Sequence, residues 1–178
     1  DRPTPIVMGH EGAGIVEAVG PGVDSPRFGE LVALAWLVPC GTCPACLRGM
    51  VWLCGASPSY RHSLLDGTTA FRGPDPGERI RSYCSIATMA GATVVPAAAA
   101  IPVPSATSPG VAALIGCCVT TGVGAVLKTA AVPAGATVAV VGLGGVGAHV
   151  GAAAVDDQEA VGAALKGVVL GHAGGGRL

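Results

Sequence analysis

Residues 40–54 read CGTCPACLRGMVWLC, and the four cysteines of this run, Cys40, Cys43, Cys46 and Cys54, organise everything around them. They are separated by two, two and seven residues. Four thiolates so close in sequence can surround one tetrahedral Zn²⁺ and leave no position for water or substrate. Gly41, Pro44 and Gly49 let the chain turn tightly around such an ion. Two disulfides, or thiols unrelated to one another, are the alternatives. A closed four-thiolate site holds structure and does no chemistry, so residues 40–54 mark a structural lobe before they name a reaction.

The rest of the composition narrows the class. Of 178 residues, 51% are apolar but only 3% aromatic, so the core has to be built from Ala, Val, Leu and Ile. Small side chains bury little area each, which predicts modest stability for this length. A net charge of −1 without Lys/Arg clusters argues against nucleic acid or an anionic membrane as partner. The opening DRPTPIVMGHEG lacks a basic start and an apolar run, so no signal peptide is expected. Glycines and prolines interrupt the apolar stretch over 111–155, which argues against a membrane span. Seven cysteines without a secretory signal read as thiols and metal ligands in a reducing cytoplasm.

Two compositional regions follow. Residues 1–104 carry short apolar runs (14–19, 31–38, 81–87 and 93–96) between turn-rich segments such as PGV, DSPRFGE and RGPDPGE. That pattern predicts a β-rich domain with long connections, the cysteine lobe being one of them. The segment IPVP at 101–104 is extended and suits a junction. Beyond it, 105–129 reads as one or two helices, and TVAVV at 137–141 as a buried parallel strand. That strand runs into GLGGVG, residues 142–147, and then into a helical 148–155. For 156–178 the pattern suggests a helix over 157–166, a short strand over 168–170 and a frayed tail.

Three motifs carry chemistry. The loop Gly142, Leu143, Gly144, Gly145, Val146, Gly147 has G-x-G-x-x-G spacing and sits between a predicted strand and helix. There the first glycine permits the turn, the second lets a pyrophosphate reach the backbone, and the third lets helix pack on strand. The helix N-terminus offers N–H groups and a positive dipole end to the phosphates. The acid that should follow about 20 residues on, for the ribose hydroxyls, is missing. Gly171 and His172 stand after the second predicted strand, and Asp156, Asp157 and Glu159 precede it. His10 and Glu11, in GHEGAGIV, are an imidazole and a carboxylate able to hold or tune a metal, or a plain surface pair. Cys117 and Cys118 lie in an apolar helical context, where a thiol is either a small buried hydrophobe or a ligand brought to His10 by the fold.

Taken in order, GHEGAGIVEAVGPGV, the four-cysteine run, LIGCCVTTGVGAV and VAVVGLGGVG resemble the zinc-dependent medium-chain alcohol dehydrogenases from about residue 3 to about residue 150. The resemblance implies an α/β protein, with a β-rich GroES-like barrel (1–104) followed by an incomplete Rossmann-type βαβ segment (105–178). It implies that His10 and Cys117 are ligands of a catalytic zinc, with Glu11 the adjacent carboxylate. Thr121 then lines the nicotinamide pocket, and Cys40, Cys43, Cys46 and Cys54 hold the structural zinc. In such enzymes zinc acts as a Lewis acid on an alcohol, which passes hydride to NAD or NADP. The partners so implied are a small alcohol or aldehyde, with a homo-oligomer left open.

The chain also departs from the family pattern. The family's first catalytic ligand is a cysteine upstream of the histidine, and none of the nine residues before His10 is Cys. His62 and Cys84 are donors of a suitable type, but neither aligns with that ligand. The 31 residues after Gly147 are too few for the about five further strands of a full cofactor domain. The expectation is an internal segment of a dehydrogenase or a truncated descendant. Three functions compete: a dehydrogenase, a zinc-binding remnant without catalysis, and an interaction module using an unpartnered sheet edge.

Overall fold

A computed structural model describes residues 5–75, 77–155 and 170–171 of the chain. They divide into two compact units, Asp1–Cys117 and Cys118–Leu178. The fold is mixed α/β, with three small sheets and no closed barrel among the described residues.

The first unit carries strands β1 (Ile6–Val7), β2 (Ala13–Ile15), β3 (Leu31–Leu34), β4 (Phe71–Arg72), β5 (Arg79–Ser82) and β6 (Ala100–Pro102). One sheet has the order β1-β5-β4, and β1 runs parallel to β5 with Ile6 opposite Arg81. The other has the antiparallel order β2-β3-β6. All four residues of the central strand β3 are buried, as the continuous run LVAL requires of a strand covered on both faces. Pro102 sits on the edge strand, where a missing N–H costs no ladder bond.

Val32, Leu34, Val38, Cys84, Ile86, Ala99 and Ala100 form the core, and Trp36 and Tyr83 pack on its rim. It is an aliphatic core of small side chains, as the composition dictates. The predicted runs are shorter as strands than as sequence. The 14–19 run is strand only through Ile15, with Val16 still hydrogen-bonded to Gly29 and Glu30, and 93–96 forms no strand. The 81–87 run stops at Ser82, because Cys84, Ser85 and Ala87 all adopt left-handed backbone (φ 50, 65 and 45). A left-handed residue breaks the pleat, so the ladder ends there.

Helix α1 (Pro44–Leu47) belongs to the cysteine lobe. Helix α2 runs unbroken over Pro109–Thr129, and the boundary between the units falls inside it. Ser108 caps it, its Oγ accepting from the Val111 N–H at 3.3 Å, with Pro109 in the first turn. The stretch 111–155 is broken after Thr129, where Pro133 and Gly135 lie in a turn, but the glycines within 109–129 do not interrupt the helix. Gly110, Gly122 and Gly124 lie in its α-helical stretches and Gly116 in the first of two π-type turns, Ile115–Val119 and Ala125–Thr129. By length and composition α2 is therefore able to cross a membrane, a test that core helices of soluble proteins also pass.

In the second unit β7 (Val140–Val141) pairs in parallel with β8 (Leu170–Gly171), and helix α3 (Gly145–Val155) lies between them in sequence. Strand, helix and parallel strand make a βαβ unit. Only the last two residues of TVAVV are paired, and the helix begins at Gly145, ahead of the expected 148. The helix and strand expected over 157–166 and 168–169, and the tail over 172–178, lie outside the described residues.

Candidate metal centres and nucleotide loop

In the cysteine lobe, Cys43 stands just before α1 with extended backbone, and Pro44 opens the helix. The chain then returns through a tight turn over Val51–Leu53 to the buried Cys54. Sulfur separations are 3.5 Å for Cys43–Cys46 and 3.9 Å for both Cys40–Cys46 and Cys43–Cys54. All four Sγ atoms lie within 4.8 Å of one another. A tetrahedron with Zn–S of about 2.3 Å has S···S edges of about 3.8 Å, whereas a disulfide needs about 2.0 Å. The lobe therefore fits a structural Zn²⁺ and not a pair of disulfides. Backbone N–H groups feed the sulfurs, from Cys40 to Cys54 Sγ and from Cys43 to Cys40 Sγ, each at 3.3 Å. Hydrogen bonds from the Thr42 and Cys43 backbone, joined by the Thr42 side chain, lower the Cys40 thiol to about 6. Cys46 is pushed up to about 11, chiefly by burial, with the neighbouring thiols adding to the rise.

The second candidate centre lies where GHEG passes β3 and the segment after β5. Thr88 and Met89 donate their N–H groups to the carbonyls of Gly9 and Met8 at 3.2 and 3.0 Å, and Leu34 N–H donates to Gly12 at 2.9 Å. Gly9 has φ +95, and a Cβ on it would lie 2.7 Å from Met89 N and 2.9 Å from Met89 Cγ. No other residue allows that close approach, so this glycine sets where His10 points. His10 Nε2 comes to 3.3 Å from Cys117 Sγ, across 107 residues of sequence. Two ligands of one tetrahedral zinc, at about 2.0 and 2.3 Å, stand about 3.5 Å apart. The pair has the spacing of two ligands. Cys117 is carried on the first π-type turn of α2, a kind of turn frequent at functional sites. Glu11 is half-buried beside His10 and engaged in its own interactions.

Among the described residues, the four cysteines are the one group of three or more donors close enough to share an ion, and His10 with Cys117 makes a pair. Thr121 belongs to the second unit and is exposed on α2. One residue that the motifs did not single out, Tyr83, links His10 to His62. The Tyr83 ring meets the His10 ring edge-on at 5.9 Å and stacks on His62 at 5.2 Å. In so aromatic-poor a chain, a tyrosine directly after the RIRS strand was the available signal. Burial, assisted by the Arg81 charge, lowers the His62 pKa. Burial raises that of Cys84; a hydrogen bond with Tyr83 opposes the rise and the Cys117 thiol adds to it.

In the second unit the glycine loop leaves β7, and α3 takes up Gly145–Gly147 in its first turn. A Cβ on Gly147 would collide with the Gly142 carbonyl, so the third glycine serves the close helix–strand packing expected of it. The extra glycine, Gly145, leaves room for Cys118, whose Sγ would stand 3.2 Å from a Cβ there. Cys118 is thus the small buried hydrophobe of the pair and Cys117 the one turned to His10. The second strand ends at Gly171, without an acid at that position.

Residues 1–105 match the family model of the alcohol dehydrogenase GroES-like domain. The chain belongs to the zinc-dependent medium-chain alcohol dehydrogenases. It is 43% identical over 145 residues to alcohol dehydrogenase B of Mycobacterium tuberculosis, covering 80% of this chain and 38% of that protein. Against the S-(hydroxymethyl)glutathione dehydrogenase of Saccharomyces cerevisiae the identity is 42% over 148 residues, 82% of this chain and 38% of that one. Among solved structures, an alcohol dehydrogenase zinc-binding domain protein from Burkholderia ambifaria superposes with a TM-score of 0.76 at 35% identity. That match covers 85% of this chain and 41% of the other. The chain thus spans about two fifths of the dehydrogenases it matches.

Proposed function

We propose that this chain carries the zinc-binding catalytic part of an alcohol dehydrogenase that moves hydride between an alcohol/aldehyde pair and NAD or NADP. The observation that carries this is the 3.3 Å approach of His10 Nε2 to Cys117 Sγ, at the spacing of two zinc ligands. Residues 1–104 form the GroES-like catalytic domain with its structural zinc lobe, and residues 105–178 a partial nucleotide-binding region.

A zinc ion bound by this pair would supply Lewis acidity to a substrate oxygen. His10 would bind it through Nε2 as a neutral imidazole and Cys117 as a thiolate, with Glu11 beside them. The Tyr83 ring meets the His10 ring edge-on. Thr121 would line the nicotinamide pocket, and Gly142, Leu143, Gly144, Gly145, Val146 and Gly147 would hold the pyrophosphate of a bound dinucleotide. No disulfide joins the cysteines, which suits a reducing cytoplasm.

A second function is favoured by a specific observation: the described residues hold one complete four-thiolate group and only two donors at the other centre. On that basis the 178-residue polypeptide would bind zinc without oxidising alcohols. An NAD(P)⁺-reduction assay on the zinc-loaded chain with a primary alcohol separates the two. Reduction that Cys117→Ser abolishes is expected of a dehydrogenase. No reduction, with zinc content indifferent to His10→Ala, contradicts that assignment and leaves the zinc-binding one.

A further inference from the structure

Two segments some twenty residues apart are stapled together beside the His10–Cys117 pair. Ser82 N–H donates to the His62 carbonyl at 3.1 Å, and Cys84 N–H donates to His62 Nδ1 at 3.2 Å. The Ser85 hydroxyl donates to the Ser63 carbonyl at 2.6 Å. The stapled turns are ones a chain does not choose freely. His62, Cys84 and Ser85 all have left-handed backbone (φ 56, 50 and 65) without being glycine. Tyr83 lies inside this staple, stacked on His62 with planes at 22° and edge-on to His10 at 69°.

We propose that His62 is a positioning residue: its neutral ring accepts the Cys84 N–H and holds Tyr83 against His10, and protonation of His62 opens this latch. An Nδ1 that accepts a hydrogen bond carries no proton, so the proton of the neutral ring is on Nε2. In the imidazolium both nitrogens donate, and Nδ1–H then opposes Cys84 N–H. The groups that face the ring are the Arg81 guanidinium on β5, the Tyr83 side chain and the Cys84 thiol. Arg81 also donates from Nη1 to the Arg61 carbonyl at 3.0 Å, which fixes its positive charge near the ring. Burial and that charge both favour the neutral form, so the latch is closed at neutral pH. The sign is that of a depressed folded pKa. The stability that His62 contributes is fully present above the unfolded value of 6.5 and is lost as pH falls through the folded value.

That the His10 held by this latch is a metal ligand rests on the dehydrogenase assignment; the latch itself does not. The test follows Cys84 amide protection by NMR, corrected for intrinsic exchange, in the zinc-loaded full chain from about pH 7 to about pH 5. In the wild type, protection falls about tenfold per pH unit below the His62 pKa, in step with the His62 ring signals. His62→Asn keeps protection and removes the step, because Asn tolerates left-handed backbone and its Oδ1 accepts without titrating. His62→Phe keeps a stacked ring but loses Cys84 protection at every pH. A wild type and His62→Asn with the same pH course, or His62→Phe with wild-type protection at pH 7, overturn the proposal. A closed latch in a chain whose zinc content ignores His10→Ala would uphold it while removing the dehydrogenase assignment.

Discussion

Replacing Gly9 by alanine puts the geometry of the His10 turn to a quantitative test. At φ +95 an L-residue is strained whatever its surroundings, at about 1–3 kcal/mol. The added Cβ also meets Met89 N at 2.7 Å and Met89 Cγ at 2.9 Å. The backbone atom cannot yield cheaply, and overpacking of this kind costs about 1–3 kcal/mol. The sum, about 2–6 kcal/mol, is a large share of the about 5–15 kcal/mol that keeps a domain folded. Urea denaturation followed by fluorescence of Trp36, at the rim of the core, reads the loss directly. Gly14→Ala is the internal control. It lies in the same motif with no positive φ and nothing within 4 Å of its Cβ, so its effect should stay within about 1 kcal/mol. Equal midpoints for the two variants would refute the claim that Gly9 positions His10 by close approach.

Other outcomes follow from single residues. Ser82 is fully buried and its hydroxyl has no hydrogen-bond partner among the described residues. An unpaired buried hydroxyl costs about 1–3 kcal/mol, so Ser82→Ala should add about 1 kcal/mol of stability and raise the urea midpoint, and a lower midpoint would show the hydroxyl to be paired. Zinc uptake by the cysteine lobe should release protons, with Cys46, near 11, giving one up throughout the neutral range. Below about 6 Cys40 is protonated as well, so the fall of log affinity with acid steepens by one proton there. A chelator-competition titration from about pH 5 to about pH 8 checks this, and a slope unchanged through 6 would count against it.

The sequence made the two candidate metal centres legible to very different degrees. Cys40, Cys43, Cys46 and Cys54 are local, and spacing alone brings four sulfurs within reach of one ion. His10 and Cys117 are 107 residues apart, and only register with a known family paired them. The geometry then showed what aligned them: Gly9 against Met89 on one side, and a widened turn of α2 on the other. Strand lengths were overestimated where backbone conformation, invisible in composition, ended the ladder, as at Cys84 and Ser85. The glycines of α2 misled for the opposite reason. Their cost of about 1 kcal/mol each is a local penalty, which a helix of 21 residues outweighs. His62 and Tyr83 were illegible as a pair, since nothing in the sequence announces a left-handed histidine.

Zinc content per chain, measured on the wild type, Cys43→Ser and Cys117→Ser after equilibration with excess zinc and gel filtration, bears most directly on the two-centre arrangement. A tightly held zinc lost in Cys43→Ser, and a separate weaker zinc lost in Cys117→Ser alone, are predicted. Equal zinc content in wild type and Cys117→Ser would contradict the assignment of His10 and Cys117 as a metal pair.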